Sequence, residues 1–161
     1  TEALFRRRVY DLAGCLKDVK VFLNGQRIPI KGFKQYVEMY LKKPSETAAP
    51  GGDATAPPTG ATSTPSIIYE SCAGGRWEVC VAASDGQFQQ VSFVNSICTY
   101  KGGTHVNHVA DQVVNSLAES VKKKHKDMAN LKPFQVRNHL AIFINCLIEN
   151  PSFDSQTKEN M

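Results

Sequence analysis

Long hydrophobic runs are missing from this sequence of 161 residues. A membrane-spanning helix needs ~20 consecutive apolar residues, and neither such a run nor the apolar core of a signal peptide is present. We therefore expect neither a membrane segment nor a signal peptide. Thr1 stands where an initiator methionine would, and a helical pattern begins almost at once, so we interpret the chain as an internal fragment.

Common catalytic motifs are missing as well. There is no glycine-rich phosphate loop ending in Gly-Lys, no Gly-x-Ser-x-Gly elbow and no His-Glu-x-x-His helix. No acidic pair is spaced for general acid–base catalysis or for a metal. His105 and His108 lie one helical turn apart, but no third ligand is evident and we interpret them as surface histidines. We expect no catalytic residue and no metal ligand in this chain.

The cysteines lack any Cys-x-x-Cys pair, and they stand at positions 15, 72, 80, 98 and 146. Three of them fall inside apolar strand patterns. Free cysteine packs as a small apolar residue, and disulfides are rare in reducing compartments. We therefore expect reduced, buried thiols in an intracellular protein.

Charge is limited to a formal net value of +4, so any nucleic-acid contact must come from local clusters. Arg6–Arg8 is interpreted as the solvated face of an amphipathic helix. Lys122–Lys126 holds four lysines among five residues, more than complementing the dipole of a helix end requires. Binding to the DNA backbone and helix capping both remain open for this second cluster.

The start of the chain predicts a helix over 3–14, strands at 19–23 and 26–30 around the turn Asn24-Gly25, and a helix over 33–41. Such a unit cannot enclose a core alone, so we expect it to be the edge of a larger body. Residues 44–65 contain five of the eight prolines, and with almost no apolar bulk they predict a disordered linker or inserted surface loop.

The remainder predicts an α+β unit. Period-two alternation indicates strands at 67–72, 77–83 and 91–98 with hairpin turns between them. A helical stripe of more than four turns follows, with Thr104 as its expected N-cap. The last strand, His139–Ile148, is apolar on both faces, which indicates a central strand covered on both sides.

A polar loop follows that last strand after Asn150-Pro151, and it carries Gln156, Thr157 and Lys158. An amide, a hydroxyl and an ammonium suit an anion, and a lysine ammonium suits a phosphate oxygen. On the residues alone, an ordinary solvated loop is the alternative. If the loop does hold a phosphate, the rest of the pocket lies outside this chain.

Several segments together resemble eukaryotic DNA topoisomerase II, and the match covers nearly everything outside 44–65. The segments are Arg7–Gly14, Asp18–Gly25, Ser92–Ile97, Lys101–Gly103, His105–Val106, Val109–Gln112, Leu147–Pro151 and Phe153–Asn160. The resemblance implies that residues 1–43 are the C-terminal tail of an Hsp90/gyrase-type ATPase domain. Residues 66–161 would be the transducer domain, and 44–65 a lineage-specific insertion.

For the transducer domain the resemblance implies a β-sheet packed by a long helix. Its βαβ crossover would be left-handed, like one in a ribosomal protein domain, where general rules favour a right-handed one. It also implies that Gln156, Thr157 and Lys158 bind ATP, the lysine contacting the γ-phosphate. Lys122, Lys123 and Lys124 would contact DNA.

The family further implies ATP and Mg²⁺ as cofactors, double-stranded DNA as partner, a homodimer of the full-length enzyme and a nuclear location. The Mg²⁺ ligand and the water-activating glutamate would precede Thr1, and the DNA-cleaving tyrosine would follow Met161, so the fragment alone should be inactive. Our hypothesis is a part of an ATP-dependent type II DNA topoisomerase that senses the γ-phosphate and signals to the DNA gate. The alternatives are a stand-alone DNA-binding module using Arg6–Arg8 and Lys122–Lys126, or a structural spacer.

Overall fold

The fold is built on a five-stranded sheet with helices on both faces. The computed structural model describes residues 2–41, 66–125, 128 and 130–161, so the predicted linker 44–65 lies outside the described residues. The elements in chain order are α1 (Glu2–Cys15), β1 (Phe22–Leu23), β2 (Gln26–Arg27), α2 (Phe33–Leu41), β3 (Ile67–Cys72), β4 (Trp77–Ala83), β5 (Gln89–Val94), β6 (Ile97–Cys98), α3 (Thr104–Lys124), α4 (Pro133–Arg137) and β7 (Leu140–Cys146).

Strand β7 occupies the centre of the sheet, whose order is β3-β4-β7-β5-β6. It pairs antiparallel with β4, from Trp77↔Cys146 to Ala83↔Leu140. It pairs parallel with β5, from Gln89↔Ala141 to Val94↔Cys146. Two adjacent parallel strands joined through α3 form a βαβ crossover, and the predicted α+β class is confirmed. The left-handed sense of the crossover stays a prediction.

Two predictions about strand pairing were wrong. Strands β4 and β5 do not form a hairpin across 84–86, because β7 lies between them. The predicted strand 91–98 is in fact two strands, because Asn95 and Ser96 adopt φ of 50° and 64°. Positive φ at two successive residues makes the tight turn that suits hairpins, and β6 folds back on β5 with Val94 opposite Ile97.

The core lies on both sides of β7, every residue of which is buried. Its alternate residues from Leu140 to Cys146 share a cluster with Val106, Ala110 and Val114 of α3. On the opposite face, Ala141 and Phe143 cluster with residues of α2. The prediction of a central strand covered on both faces is confirmed.

Residues 2–41 pack against this second face and do not stand apart from the sheet. The predicted helices are confirmed as α1 and α2, but β1 and β2 have only two residues each, and Pro29 supplies no N–H for a longer ladder. Phe33, Tyr36 and Val37 of α2 are almost fully buried. The predicted boundary between residues 1–43 and 66–161 stays a prediction.

A buried polar cluster ties α1 to the sheet through Glu78. Its two carboxylate oxygens accept hydrogen bonds from the Tyr69 hydroxyl (2.7 Å) and from Nδ2 of Asn145 (2.9 Å). The same Nδ2 also donates to the Cys15 carbonyl (3.1 Å), and Lys17 Nζ lies 3.4 Å from Oε1. Because buried carboxylates are costly without partners, this cluster fixes the end of α1 over β4 and β7.

All five cysteines are free thiols, and three of them, Cys15, Cys80 and Cys146, are buried. Burial raises the pKa of Cys80 and of Cys146 to about 12, so both stay protonated near neutral pH. Cys72, by contrast, is exposed. Within the described ranges, no helix is long and apolar enough to cross a membrane.

Candidate functional site

Strand β7 ends at Cys146, two residues before the predicted end, and Asn95 explains why. The Asn95 amide group binds both backbone groups of Ile148, accepting from its N–H (2.9 Å) and donating to its carbonyl (2.9 Å). The Leu147 N–H meanwhile donates to the Arg76 carbonyl (2.8 Å). The chain thus leaves the sheet tied to two other turns, which gives the following loop a rigid base.

The loop is closed on itself by Asp154 and Asn160. The Asp154 N–H donates to the Asn160 carbonyl (3.3 Å), and Asn160 Nδ2 donates to the Asp154 carboxylate (2.9 Å). Inside this closure, the Lys158 N–H donates to the Ser155 carbonyl (3.0 Å), which forms a tight turn. The predicted phosphate-binding residues Gln156, Thr157 and Lys158 all lie in this one turn.

Gln156 and Thr157 are exposed, and Lys158 is half-buried. The Lys158 ammonium lies 5.7 Å from the centre of the Phe153 ring. Among the described residues, no carboxylate pairs with it and no side chain bonds the Gln156 amide. The turn therefore presents a cation and an amide donor that are available to an anion.

The residues after Lys158 are bound to the start of α3. The Lys101 N–H donates to the Glu159 carbonyl (3.0 Å), and Gly102 and Asn160 form a parallel bridge. The Met161 N–H donates to Gly102 (3.3 Å), and the Thr104 N–H donates to the Met161 carbonyl (2.7 Å). The loop is therefore fixed at one end by β7 and at the other by the N-terminus of α3.

Gly103 makes this close approach possible. A Cβ atom at this position would lie 2.1 Å from the Met161 carbonyl oxygen, and the Gly103 φ of 144° is unfavourable for other residues. The prediction of Thr104 as the N-cap was wrong: Gly103 is the N-cap, and Thr104 is the first residue of α3. The Thr104 N–H, which has no partner within the helix, donates to the Met161 carbonyl. Met161 therefore caps the N-terminus of α3.

An ion pair lies next to the turn. Lys101 Nζ lies 2.5 Å from Glu159 Oε2, and the preceding residue, Tyr100, is exposed. The hydrogen bond from Lys101 lowers the pKa of Glu159, and the same bond raises the pKa of Lys101. Glu159 is thus held as an anion beside the Lys158 turn.

The second predicted site, Lys122, Lys123 and Lys124, forms the last turn of α3. All three are exposed, and within the described residues the only ion pair among them joins Lys123 to Glu119 at 4.0 Å. Lys126 lies outside the described residues. Because α3 has 21 residues at a rise of about 1.5 Å each, the lysines lie about 30 Å from the end that binds the loop.

The structure does not bring the two basic clusters together. Arg6, Arg7 and Arg8 are exposed; Arg6 pairs with the exposed Glu2 (2.9 Å), whereas Arg8 lies 3.6 Å from the buried Asp11. Helix α1 contributes to the cluster on one face of the sheet and α3 to that on the other. Arg6–Arg8 and the lysines of α3 therefore form no continuous basic surface.

The interpretation of both histidines as surface residues was wrong for His105, which is only 3% exposed. Its Nε2 lies 3.1 Å from the Thr99 hydroxyl, which is in turn 2.6 Å from that of Ser92. Burial lowers the pKa of His105, and its Nδ1 has no hydrogen-bond partner among the described residues, which fits a neutral ring. His108 is exposed and bonds Gln112. No group of three or more metal-binding side chains occurs within the described part of the chain.

Sequence reasoning missed the residues that hold the loop, namely Asn95, Lys101, Glu159 and Met161. Their contacts join positions more than 50 residues apart, as with Asn95 and Ile148 or Thr104 and Met161. The one local signal was Gly102-Gly103, because two successive glycines indicate a close backbone approach. This signal indicated where a close approach occurs, but it did not indicate that the approaching segment is the one around Met161.

Comparison with known proteins gives the following matches. The family model for DNA gyrase B matches residues 32–161. The chain is 57% identical over 160 residues to DNA topoisomerase 2-alpha of Gallus gallus and 51% identical over 159 residues to DNA topoisomerase 2 of Drosophila melanogaster. Each alignment covers 99% of this chain but only 9% and 10% of the respective relative.

Solved structures are similar over the same extent. The ATPase region of Saccharomyces cerevisiae topoisomerase II matches with a TM-score of 0.75 and 47% identity, covering 98% of this chain and 35% of that one. The ATPase and transducer domains of DNA topoisomerase II from Balamuthia mandrillaris match with a TM-score of 0.77 and 41% identity, covering 98% and 34%. The chain thus spans about a third of these structures.

Proposed function

The chain belongs to the DNA gyrase B family, with eukaryotic DNA topoisomerase 2 sequences as its relatives, and we propose that it is the γ-phosphate-sensing part of an ATP-dependent type II DNA topoisomerase. The full-length enzyme would pass one DNA duplex through a transient double-strand break. In this proposal residues 1–43 end the ATPase domain and residues 66–161 form the transducer domain. Gln156, Thr157 and Lys158 reach a nucleotide bound outside this chain.

One observation carries the proposal: the Lys158 ammonium lacks a carboxylate partner in the described structure and sits on a loop fixed at both ends. A lysine is a compact point charge, and its attraction to a phosphate oxygen grows when the site excludes water. A neighbouring amide such as that of Gln156 adds a donor for a second oxygen. The turn is thus suited to an anionic terminal phosphate.

The signal would travel along two elements. Strand β7 delivers the loop and pairs with β4 and β5, and the residues after Lys158 bind the N-terminus of α3. When hydrolysis removes the terminal phosphate, Lys158 loses its partner, and the loop shifts together with these elements. This is a switch of the kind set by the presence of a γ-phosphate.

The remaining assignments extend the proposal. Lys122, Lys123 and Lys124 would bind the DNA backbone at the far end of α3, with counterion release. The enzyme would act as a nuclear homodimer and require Mg²⁺. In this proposal the Mg²⁺ ligands belong to the part of the enzyme that binds the nucleotide outside this chain, and the isolated chain should not hydrolyse ATP.

Lys158→Ala in the full-length protein tests the proposal. Loss of a hydrogen bond to a charged group costs about 1.5–3 kcal/mol, so kcat/KM for ATP should fall roughly 10- to 100-fold, and DNA strand passage should fall with it. Lys20→Ala is the matched control, because Lys20 is exposed and lies on the segment between α1 and β1. Unchanged ATP turnover and strand passage in Lys158→Ala would refute the proposal.

A stand-alone DNA-binding module is the second candidate, and the exposed lysines of α3 favour it. The ion pairs of Arg6 and Arg8 count against it, since they engage two of the three arginines that it requires. This module would bind duplex DNA in a salt-sensitive way without any ATP-dependent step. It predicts that Lys158→Ala has no effect on function.

A further inference from the structure

The backbone of Lys158 is in a conformation that a lysine does not adopt unaided. Its φ is 57°, in the left-handed region where the Cβ atom crowds the carbonyl oxygen. Such residues persist only where their neighbours hold them, and they cluster at functional sites. The neighbours of Lys158 must therefore supply the restraint that keeps its backbone in this conformation.

Glu159 supplies that restraint, and Lys101 holds Glu159 twice. The Lys101 N–H donates to the Glu159 carbonyl (3.0 Å), and the Lys101 ammonium lies 2.5 Å from its carboxylate. Lys158 cannot leave its left-handed conformation without disturbing a residue that is held through both its backbone and its side chain.

The same contacts keep the negative charge of Glu159 away from the ammonium of Lys158. A carboxylate directly after a phosphate-binding lysine would either pair with that lysine or repel the phosphate. In the structure the Glu159 carboxylate is paired with Lys101, and its side chain is only 19% exposed. Lys158 has no carboxylate partner among the described residues, so its charge remains available.

We propose that Lys101 is a positioning residue for the nucleotide reaction: it holds Glu159 and compensates its charge, so that Lys158 stays extended towards the terminal phosphate. The inference rests on the proposed contact between Lys158 and that phosphate. Lys101 touches no reacting atom in this scheme. Its role is to keep a neighbouring anion from competing with the substrate for Lys158.

The order of effects distinguishes this role from a simple structural tether. In Lys101→Gln the Glu159 carboxylate is freed but stays charged, and kcat/KM for ATP should fall roughly tenfold or more. In Glu159→Gln the competing charge is gone, so the fall should be about two- to fivefold. The double variant should return to the level of Glu159→Gln. If the contact served only as a structural tether, both single variants would have equal kcat/KM for ATP, and the double variant would have no higher value.

The experiment measures ATP turnover by full-length variants, with Lys20→Ala as a control for charge and thermal unfolding as a control for folding. Lys101 is largely exposed, so its variants should fold. In a Lys158→Ala background, Lys101→Gln should cause no further loss.

The possible outcomes separate this inference from the proposed function. If Lys158→Ala lowers kcat/KM and Lys101→Gln does not, the positioning role is wrong and the proposed function stands. If neither variant changes kcat/KM, the proposed function itself fails. If Lys101→Gln weakens turnover equally with and without Lys158, it acts by another route and the inference is overturned.

Discussion

Substitution of Gly103 by alanine would test whether the loop is fixed to α3 in the way the structure shows. The new Cβ would lie 2.1 Å from the Met161 carbonyl oxygen and 2.7 Å from the Met161 nitrogen. Backbone atoms cannot approach so closely, so Met161 must move away. The hydrogen bonds from Thr104 to Met161 (2.7 Å) and from Met161 to Gly102 (3.3 Å) would then be lost.

The size of the effect follows from those two bonds. Each backbone hydrogen bond contributes about 1 kcal/mol net. The free energy needed to separate Met161 from Gly102 and Thr104, the junction between the loop and α3, should therefore fall by about 2 kcal/mol. That corresponds to roughly 30-fold faster amide exchange at Thr104. Gly86→Ala is the matched control, because Gly86 also has positive φ (85°) but no atom lies within 4 Å of its Cβ position.

Hydrogen–deuterium exchange of the full-length protein, followed in peptides that cover residues 99–107 and 153–161, measures this directly. We expect faster exchange in both peptides for Gly103→Ala and no local change there for Gly86→Ala. Equal exchange in the two variants would refute the junction. Faster exchange spread along all of α3 would show a general loss of stability instead.

Two further predictions concern the ends of α3. Replacing Lys122, Lys123 and Lys124 by glutamine should lower the salt dependence of duplex binding by about 0.9 per lost phosphate contact in a plot of log K against log salt, and an unchanged slope would argue against DNA contact. The pKa of His105 lies below its ordinary value because of burial, so its contribution to stability is complete above about pH 6.5 and is lost as the pH falls towards the folded-state pKa. His105→Gln should therefore flatten the acid side of a thermal-unfolding profile, and an unaltered profile would contradict this.

Local sequence patterns predicted a helix or strand correctly where the spacing of apolar residues matched the residues that are buried in the structure. Strand β7 was recognisable because both of its faces are apolar, and α3 because its stripe continues over several turns. The resemblance to eukaryotic DNA topoisomerase II is confirmed by the family model and the relatives. The γ-phosphate and DNA roles of the site residues stay proposals.

Pairing and anchoring could not be predicted, for a physical reason. Alternation continues through Asn95 and Ser96, and it masked the turn preference of these two residues, which adopt positive φ in the structure. The insertion of β7 between β4 and β5 depends on contacts across some 50 residues, which no local propensity encodes. The contacts of Lys101 with Glu159 are of the same kind, and they fix the predicted loop in place.

The central claim is that Lys158 contacts the terminal phosphate, and nucleotide binding tests it most directly. The affinities of full-length Lys158→Ala and Lys20→Ala for a non-hydrolysable ATP analogue and for ADP should be compared by calorimetry. The account predicts that Lys158→Ala weakens binding of the triphosphate roughly 10- to 100-fold and leaves ADP binding unchanged, while Lys20→Ala changes neither. An equal loss for both nucleotides, or no loss for the triphosphate, would contradict it.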